Sequence, residues 1–168
     1  MRELNIALIG CGNWGKNIAR NLHQMESLAC IYDTNTELSE KLSHKYNLPI
    51  FKLNKIFEDK SINGIVIASP AITHKDLAIQ AIENDKDVLL EKPFCLTLPD
   101  AQKLSVLATK KNRVLMVGHL LNYHNAFIKM RELVKNGTIG VPQNIRANRL
   151  ALGAIRSEES VIYDLSVH

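Results

Sequence analysis

The chain has 168 residues, 46% hydrophobic, 23% charged and 5% aromatic, which is the composition of a folded globular protein and excludes a disordered, collagenous or coiled-coil one. A chain of this length buries roughly 70% of the surface its unfolded form exposes, enough for one complete core and the beginning of a second. Its 21 Lys and Arg against 17 Asp and Glu leave a net charge of +4. The densest basic group, Lys110, Lys111 and Arg113, falls at the expected end of a helix, where cations are favoured, so no nucleic-acid partner is implied.

In chain order, the first expected strand is the apolar run 4–9. Directly after it stands Gly10-Cys11-Gly12-Asn13-Trp14-Gly15, a G-x-G-x-x-G that opens a helix. In that context the first glycine permits a tight strand-to-helix turn and the second lets backbone approach a pyrophosphate. The third permits close helix packing, and the helix N-terminus offers free N–H groups. The same residues fall one short of a Walker A loop, because Asn17 follows Lys16 where a magnesium-binding hydroxyl is required. The second expected strand, 28–32, leads into Asp33, eighteen residues past Gly15. A dinucleotide fold places the carboxylate for the adenosine ribose hydroxyls there, so a dinucleotide is favoured over a nucleoside triphosphate. The alternative is a tight turn followed by Asp33 capping the next helix.

A third strand, 64–68, leads into Ser69-Pro70-Ala71-Ile72-Thr73-His74, a turn at the carboxyl edge of the sheet, where ligands of open α/β folds bind. His74 either contacts a cofactor there or packs at the first turn of its helix. The spacing of Leu77, Ala78, Ala81 and Ile82 is helical, and Thr73 with Asp76 reads as its capped start. The fourth strand, 88–90, ends in Glu91-Lys92-Pro93. The proline holds Lys92 extended, so its amine is either aimed at the sheet edge or part of a polar loop stop. Thr97 with Asp100 reads as a second capped start, before a helix carrying Leu104, Leu107 and Ala108, and 114–117 is the fifth strand. Strands alternating with helices imply a parallel sheet. Near Gly118 the rhythm changes to a helix over 122–135, ended by Asn136-Gly137, and an extended stretch over 141–152. A domain boundary is expected there, giving domains 1–118 and 119–168.

Asp164 and His168, four apart, share a face if helical, as an acid/base pair or as a cap and a surface histidine. His119 and His124 are five apart with no acid or cysteine to complete a ligand set, so no metal is expected, and no Gly-x-Ser-x-Gly supports serine hydrolysis. Cys11, Cys30 and Cys95 suggest neither a disulfide framework nor a CxxC site, and Cys95 reads as a buried spectator. With no membrane-length apolar stretch and no signal-like start, a reducing cytoplasm is the expected location and no membrane partner is expected.

Gly10-x-Gly12-x-x-Gly15, Asp33, Ser69-Pro70 with His74, Glu91-Lys92-Pro93, the segment Gly118-His119-Leu120-Leu121-Asn122-Tyr123-His124 and Asp164-x-x-x-His168 occur in one order. In that order the chain resembles the glucose-fructose oxidoreductase / inositol dehydrogenase (Gfo/Idh/MocA) family across essentially its whole length. The stretch 156–168 is most similar to nucleotide-sugar 3-dehydrogenases of the UDP-N-acetylhexosamine type. The resemblance implies an α/β fold, a Rossmann doubly wound parallel sheet followed by the start of a second α/β domain. It implies NAD as cofactor, contacted by Gly10, Gly12, Asn13, Trp14, Gly15, Asp33, Ser69, Pro70, His74, Glu91 and Lys92. It further implies a cis Lys92–Pro93 peptide, Lys92 orienting the reacting hydroxyl, His168 as acid/base, Asp164 as orienting group, and a sugar or nucleotide sugar as substrate. Members of the family are roughly twice this length. Two classes therefore stay open, an NAD-dependent sugar dehydrogenase and a noncatalytic NAD(H)-binding or redox-sensing module. An incomplete second layer further suggests a homo-oligomer.

Overall fold

A computed structural model describes residues 4–148 of the chain, in two compact units that divide between Gly118 and His119. The first holds five strands, β1 (Ile6–Ile9), β2 (Leu28–Tyr32), β3 (Gly64–Ile67), β4 (Asp87–Leu90) and β5 (Leu115–Val117). Five helices alternate with them: α1 (Gly15–Gln24), α2 (Thr36–Tyr46), α3 (Leu53–Glu58), α4 (Ala71–Glu83) and α5 (Leu98–Lys111). The strands form one parallel sheet in the order β2-β1-β3-β4-β5. The order reverses between β1 and β3, and that switch point opens a crevice at the carboxyl edge.

Side-chain alternation along the strands divides the core in two. Ala7 and Ile9 of β1, Ile65 and Ile67 of β3, and Val88 and Leu90 of β4 pack with Ile56 and Phe57 of α3, Ala78, Ala81 and Ile82 of α4, and Leu104 and Ala108 of α5. Their neighbours Leu8 and Val66 pack instead with Leu28 and Ile31 of β2, Ala19 and Leu22 of α1 and Leu42 of α2. Helices thus cover both faces, which is why the strands read as continuous apolar runs. Residues 49–51 run along the outer edge of β2, with Ile31 donating to Pro49 O and Phe51 donating to Ile31 O. This pairing blunts an edge that would otherwise template association.

Local chemistry sets the ends of the elements. The Asn35 side chain caps α2 by accepting the N–H groups of Glu37 and Leu38. Thr97 and Asp100 form the expected reciprocal cap of α5, the hydroxyl accepting Asp100 N–H and donating to the Asp100 carboxylate at 2.8 Å. The basic cluster behaves as a helix-end device: Lys111 donates to Glu83 O and Arg113 to Asp85 O, at the carbonyl end of α4. Buried Lys86 donates to Asp59 O and Ile62 O, pinning the connection from α3 to β3.

Three local expectations change. Thr73 is not the cap of α4: the helix starts at Ala71, Pro70 occupies the cap position, and the Thr73 hydroxyl donates back to Pro70 O at 2.8 Å. In the second unit the helix expected over 122–135 is broken. A short 3-10 helix (Leu120–Tyr123) precedes α6 (Asn125–Lys135), because His124 takes an extended conformation and its ring accepts Ala126 N–H. Residues 141–148 pair in no strand, and the remainder of the expected 141–152 stretch lies outside the described residues.

Candidate active site

The turn after β1 is shaped by what each glycine cannot carry. Gly10 has φ of +100°, and a Cβ there would stand 2.5 Å from the backbone of Ala68. At Gly15 a Cβ would stand 2.0 Å from Gly10 O, so α1 rests directly on the turn. Gly12 differs, since nothing lies within 4 Å of where its Cβ would be. The open side of the loop is therefore at Gly12. Among the described residues no protein acceptor takes the N–H groups of Gly12, Asn13 or Trp14. A glycine opening onto free space, with unmatched N–H groups at the head of a ten-residue helix, is the donor set a pyrophosphate requires.

Asp33 follows β2 at the same edge. Its Oδ2 accepts Cys11 N–H at 2.6 Å and its Oδ1 accepts Asn35 N–H at 2.8 Å, so the carboxylate is locked to the glycine loop and to the turn before α2. The cap of α2 is Asn35, and Asp33 does not fill that role. A carboxylate has about four acceptor positions, so two remain open for further donors. Burial, then the Asp33 charge, pushes the Cys11 thiol up to about 12. The thiol that sits in the loop is thus held protonated and unreactive at neutral pH.

The β3–α4 turn and the loop after β4 are joined through His74. The ring is buried, with Nδ1 2.8 Å from Pro93 O and Nε2 2.9 Å from Ser69 O. Both ring nitrogens face protein carbonyls, which places His74 as a brace between two loops. Thr73 already donates to Pro70 O, so the 2.7 Å contact between the Ser69 and Thr73 hydroxyls has Ser69 as donor. Pro70 itself lies exposed at the mouth of the turn.

Glu91 and Lys92 follow β4, and the Lys92–Pro93 peptide is cis, as the resemblance implied. The Trp14 indole Nε1–H donates to Glu91 Oε1 at 2.5 Å, and Lys92 N–H donates to Glu91 Oε2 at 3.2 Å. Gly118 closes the third side, where a Cβ would stand 2.9 Å from Glu91 Oε1. The glycine loop, Asp33, Ser69, Pro70, His74, Glu91 and Lys92 therefore gather along one sheet edge. Asp164 and His168 lie outside the described residues. The part played by Gly118 was missed from sequence; a glycine closing a strand at the ligand edge was the available signal. No group of three or more His, Cys, Asp or Glu side chains able to hold a metal occurs among the described residues. No helix among them is long and apolar enough to cross a membrane.

This geometry is that of a dinucleotide fold, and residues 4–119 match the family described as an oxidoreductase family with an NAD-binding Rossmann fold, GFO_IDH_MocA. The chain belongs to this family. Its first unit is accordingly an NAD-binding domain. Among curated relatives, the chain is 29% identical over 140 residues to the 2,7-anhydro-N-acetylneuraminate hydratase of Escherichia coli strain K12, covering 82% of this chain and 37% of that protein. It is 28% identical over 170 residues to the UDP-N-acetylglucosamine 3-dehydrogenase of Acidithiobacillus ferrooxidans, covering 100% of this chain and 52% of that protein. Among solved structures it is similar to GenD2 from gentamicin A biosynthesis, in complex with NAD. That match has a TM-score of 0.78 and 26% identity, and covers 82% of this chain and 40% of that one. The chain thus spans about half the length, or less, of these relatives.

Proposed function

We propose that this chain supplies the cofactor half and the reacting edge of an NAD-dependent dehydrogenase acting on a secondary alcohol of a sugar or nucleotide sugar, of the UDP-N-acetylhexosamine 3-dehydrogenase type. The observation that carries the reading is the placement of Lys92 directly after β4, on the sheet edge that holds the open glycine loop, with its backbone tied through Glu91 to that loop. A purely cofactor-sensing module has no need of a lysine held at that edge.

NAD, when bound, supplies the hydride acceptor. The chain's residues do the rest. The N–H groups of Gly12, Asn13 and Trp14 bind the pyrophosphate, and Asp33 accepts the ribose hydroxyls and disfavours a 2′-phosphate, giving a preference for NAD over NADP. Lys92 orients the reacting hydroxyl and polarises its oxygen, His168 takes the proton on its imidazole, and Asp164 orients the imidazole or the sugar. A positioned base contributes about 10²- to 10⁴-fold.

The test is NAD reduction by the protein, with UDP-N-acetylhexosamines and simple polyols as substrates. Lys92→Ala and His168→Ala should each lower turnover by about 10²- to 10⁴-fold, with losses short of additive because both act on one oxygen. Undiminished turnover in either variant refutes its assignment. NAD binding without turnover on any alcohol leaves the noncatalytic module. One relative is named as a hydratase, so product analysis must separate alcohol oxidation from loss of water.

A further inference from the structure

The Trp14–Glu91 hydrogen bond joins residues 77 apart in sequence, from opposite sides of an intervening strand. Trp14 follows β1 and Glu91 follows β4, with β3 between them. At about 4.8 Å per strand spacing the two strand ends stand about 10 Å apart, a gap that only a long pair of side chains spans. The contact is a charge-assisted hydrogen bond at 2.5 Å, and the second carboxylate oxygen is engaged by Lys92 N–H. On its remaining side the carboxylate lies against Gly118, where a methyl would meet Oε1 at 2.9 Å, Cδ at 3.1 Å and Oε2 at 3.3 Å. Residues from the ends of β1, β4 and β5 thus fix one carboxylate, and that carboxylate fixes the backbone of the lysine.

We propose that Trp14 is a positioning residue for Lys92: its indole N–H and the bare backbone of Gly118 hold the Glu91 carboxylate, and Glu91 in turn holds the Lys92 amide. This goes beyond cofactor contact for Trp14 and Glu91, and it rests on the proposed function only in giving Lys92 its role at the reacting oxygen. The glycine loop and the lysine are then one mechanical unit, so a displacement of the loop reaches Lys92 through Glu91.

Trp14 is the sole tryptophan, so its indole N–H gives a single cross-peak in a proton–nitrogen NMR spectrum, beside that of the Lys92 amide. Three variants of this chain approach the bracket from three sides. Glu91→Gln keeps the shape but offers one acceptor oxygen, so it can hold only one of the two N–H groups. Trp14→Phe removes the donor from a side chain 44% exposed, which leaves the core intact. Gly118→Ala pushes on the carboxylate from the opposite side. The expected result is that Trp14→Phe shifts the Lys92 amide and that Gly118→Ala shifts the indole peak, each through the Glu91 carboxylate that they share. In turnover, Trp14→Phe should lower kcat by about ten- to a hundredfold, the effect of a misplaced group, with a smaller change in KM for NAD.

An unmoved Lys92 amide in Trp14→Phe, or an unmoved indole peak in Glu91→Gln, overturns the proposal. A rise of tenfold or more in KM for NAD with the Lys92 amide unmoved makes Trp14 a cofactor contact and overturns it equally. Wild-type protein that turns over no alcohol refutes the dehydrogenase reading, while the resonance shifts still decide the bracket.

Discussion

A single methyl, added at each glycine of the β1–α1 turn in succession, separates folding from binding. At Gly15 the new Cβ would lie 2.0 Å from Gly10 O, where ordinary contact begins near 3.4 Å, so helix and turn must part by more than an ångström. The obstacle is backbone, with no flexible end to swing aside, and Gly15→Ala should cost at least about 3 kcal/mol, the upper range of overpacking. Gly10→Ala combines a φ of +100° with contacts of 2.5 Å to Ala68 C and O, so about 1–3 kcal/mol of backbone strain adds to a comparable displacement. Gly12 has neither problem: its φ lies outside the left-handed region and nothing stands within 4 Å. Gly12→Ala should fold within about 1 kcal/mol of the wild type, and can gain about 0.4–1 kcal/mol from a stiffer unfolded chain. Yet its methyl occupies the side where a pyrophosphate approaches the N–H groups, so NAD affinity should fall at least tenfold, about 1.4 kcal/mol. Urea denaturation with an unchanged slope measures the first quantity and calorimetric titration with NAD the second. A Gly12→Ala chain as unstable as Gly15→Ala, or one that binds NAD undiminished, refutes this division of labour.

His74→Ala should cost about 3–5 kcal/mol, through a cavity at a fully buried ring and an orphaned carbonyl, whereas His74→Phe fills the space and should cost about 1–3 kcal/mol; equal losses in urea melts would exclude the brace. Asp33→Asn should narrow a preference of at least tenfold for NAD over NADP, since a charge pair at about 4 Å is worth up to about 4 kcal/mol before screening, and equal affinities in the wild type would count against the role of Asp33. Burial pushes both the Cys11 and Cys30 thiols up to about 12 from an ordinary 9.0, so above about pH 9 the unfolded chain loses protons that the folded chain keeps. Stability should then fall by up to about 1.4 kcal/mol per thiol per pH unit between about 9 and 12, and Cys11→Ser with Cys30→Ala should flatten that slope in urea melts taken across the range.

The sheet was legible because strands covered on both faces must be apolar throughout, and 28–32 and 64–68 say so plainly. The helices were legible only where their buried stripe is wide. α4 buries Ala78, Ala81 and Ile82 and shows its period, whereas α2 buries only Ser39 and Leu42 among charged neighbours and shows little. The start of α4 misled because Thr73 has the chemistry of a cap, while the tight turn from β3 begins the helix three residues sooner, with Pro70 at the cap position. In the site, the tight turn at Gly10 and the close packing at Gly15 were legible from spacing, since the turn is local. The reach from Trp14 to Glu91 could not, because it depends on which strand ends the sheet order brings near each other. His74 stayed ambiguous for the same reason: one of its two partners, Pro93 O, lies nineteen residues away beyond β4.

The seat of α1 on Gly10 also bears on timing. With the helix resting against the turn and Asp33 holding Cys11 N–H at 2.6 Å, the N–H groups of the loop are oriented before any ligand arrives. The entropy of ordering them is lost once, during folding, and an incoming dinucleotide does not incur it again. With the loop as the proposed pyrophosphate site, capture is governed by encounter and desolvation, and differences in affinity among variants of the loop are expected to surface chiefly as differences in how long the dinucleotide stays.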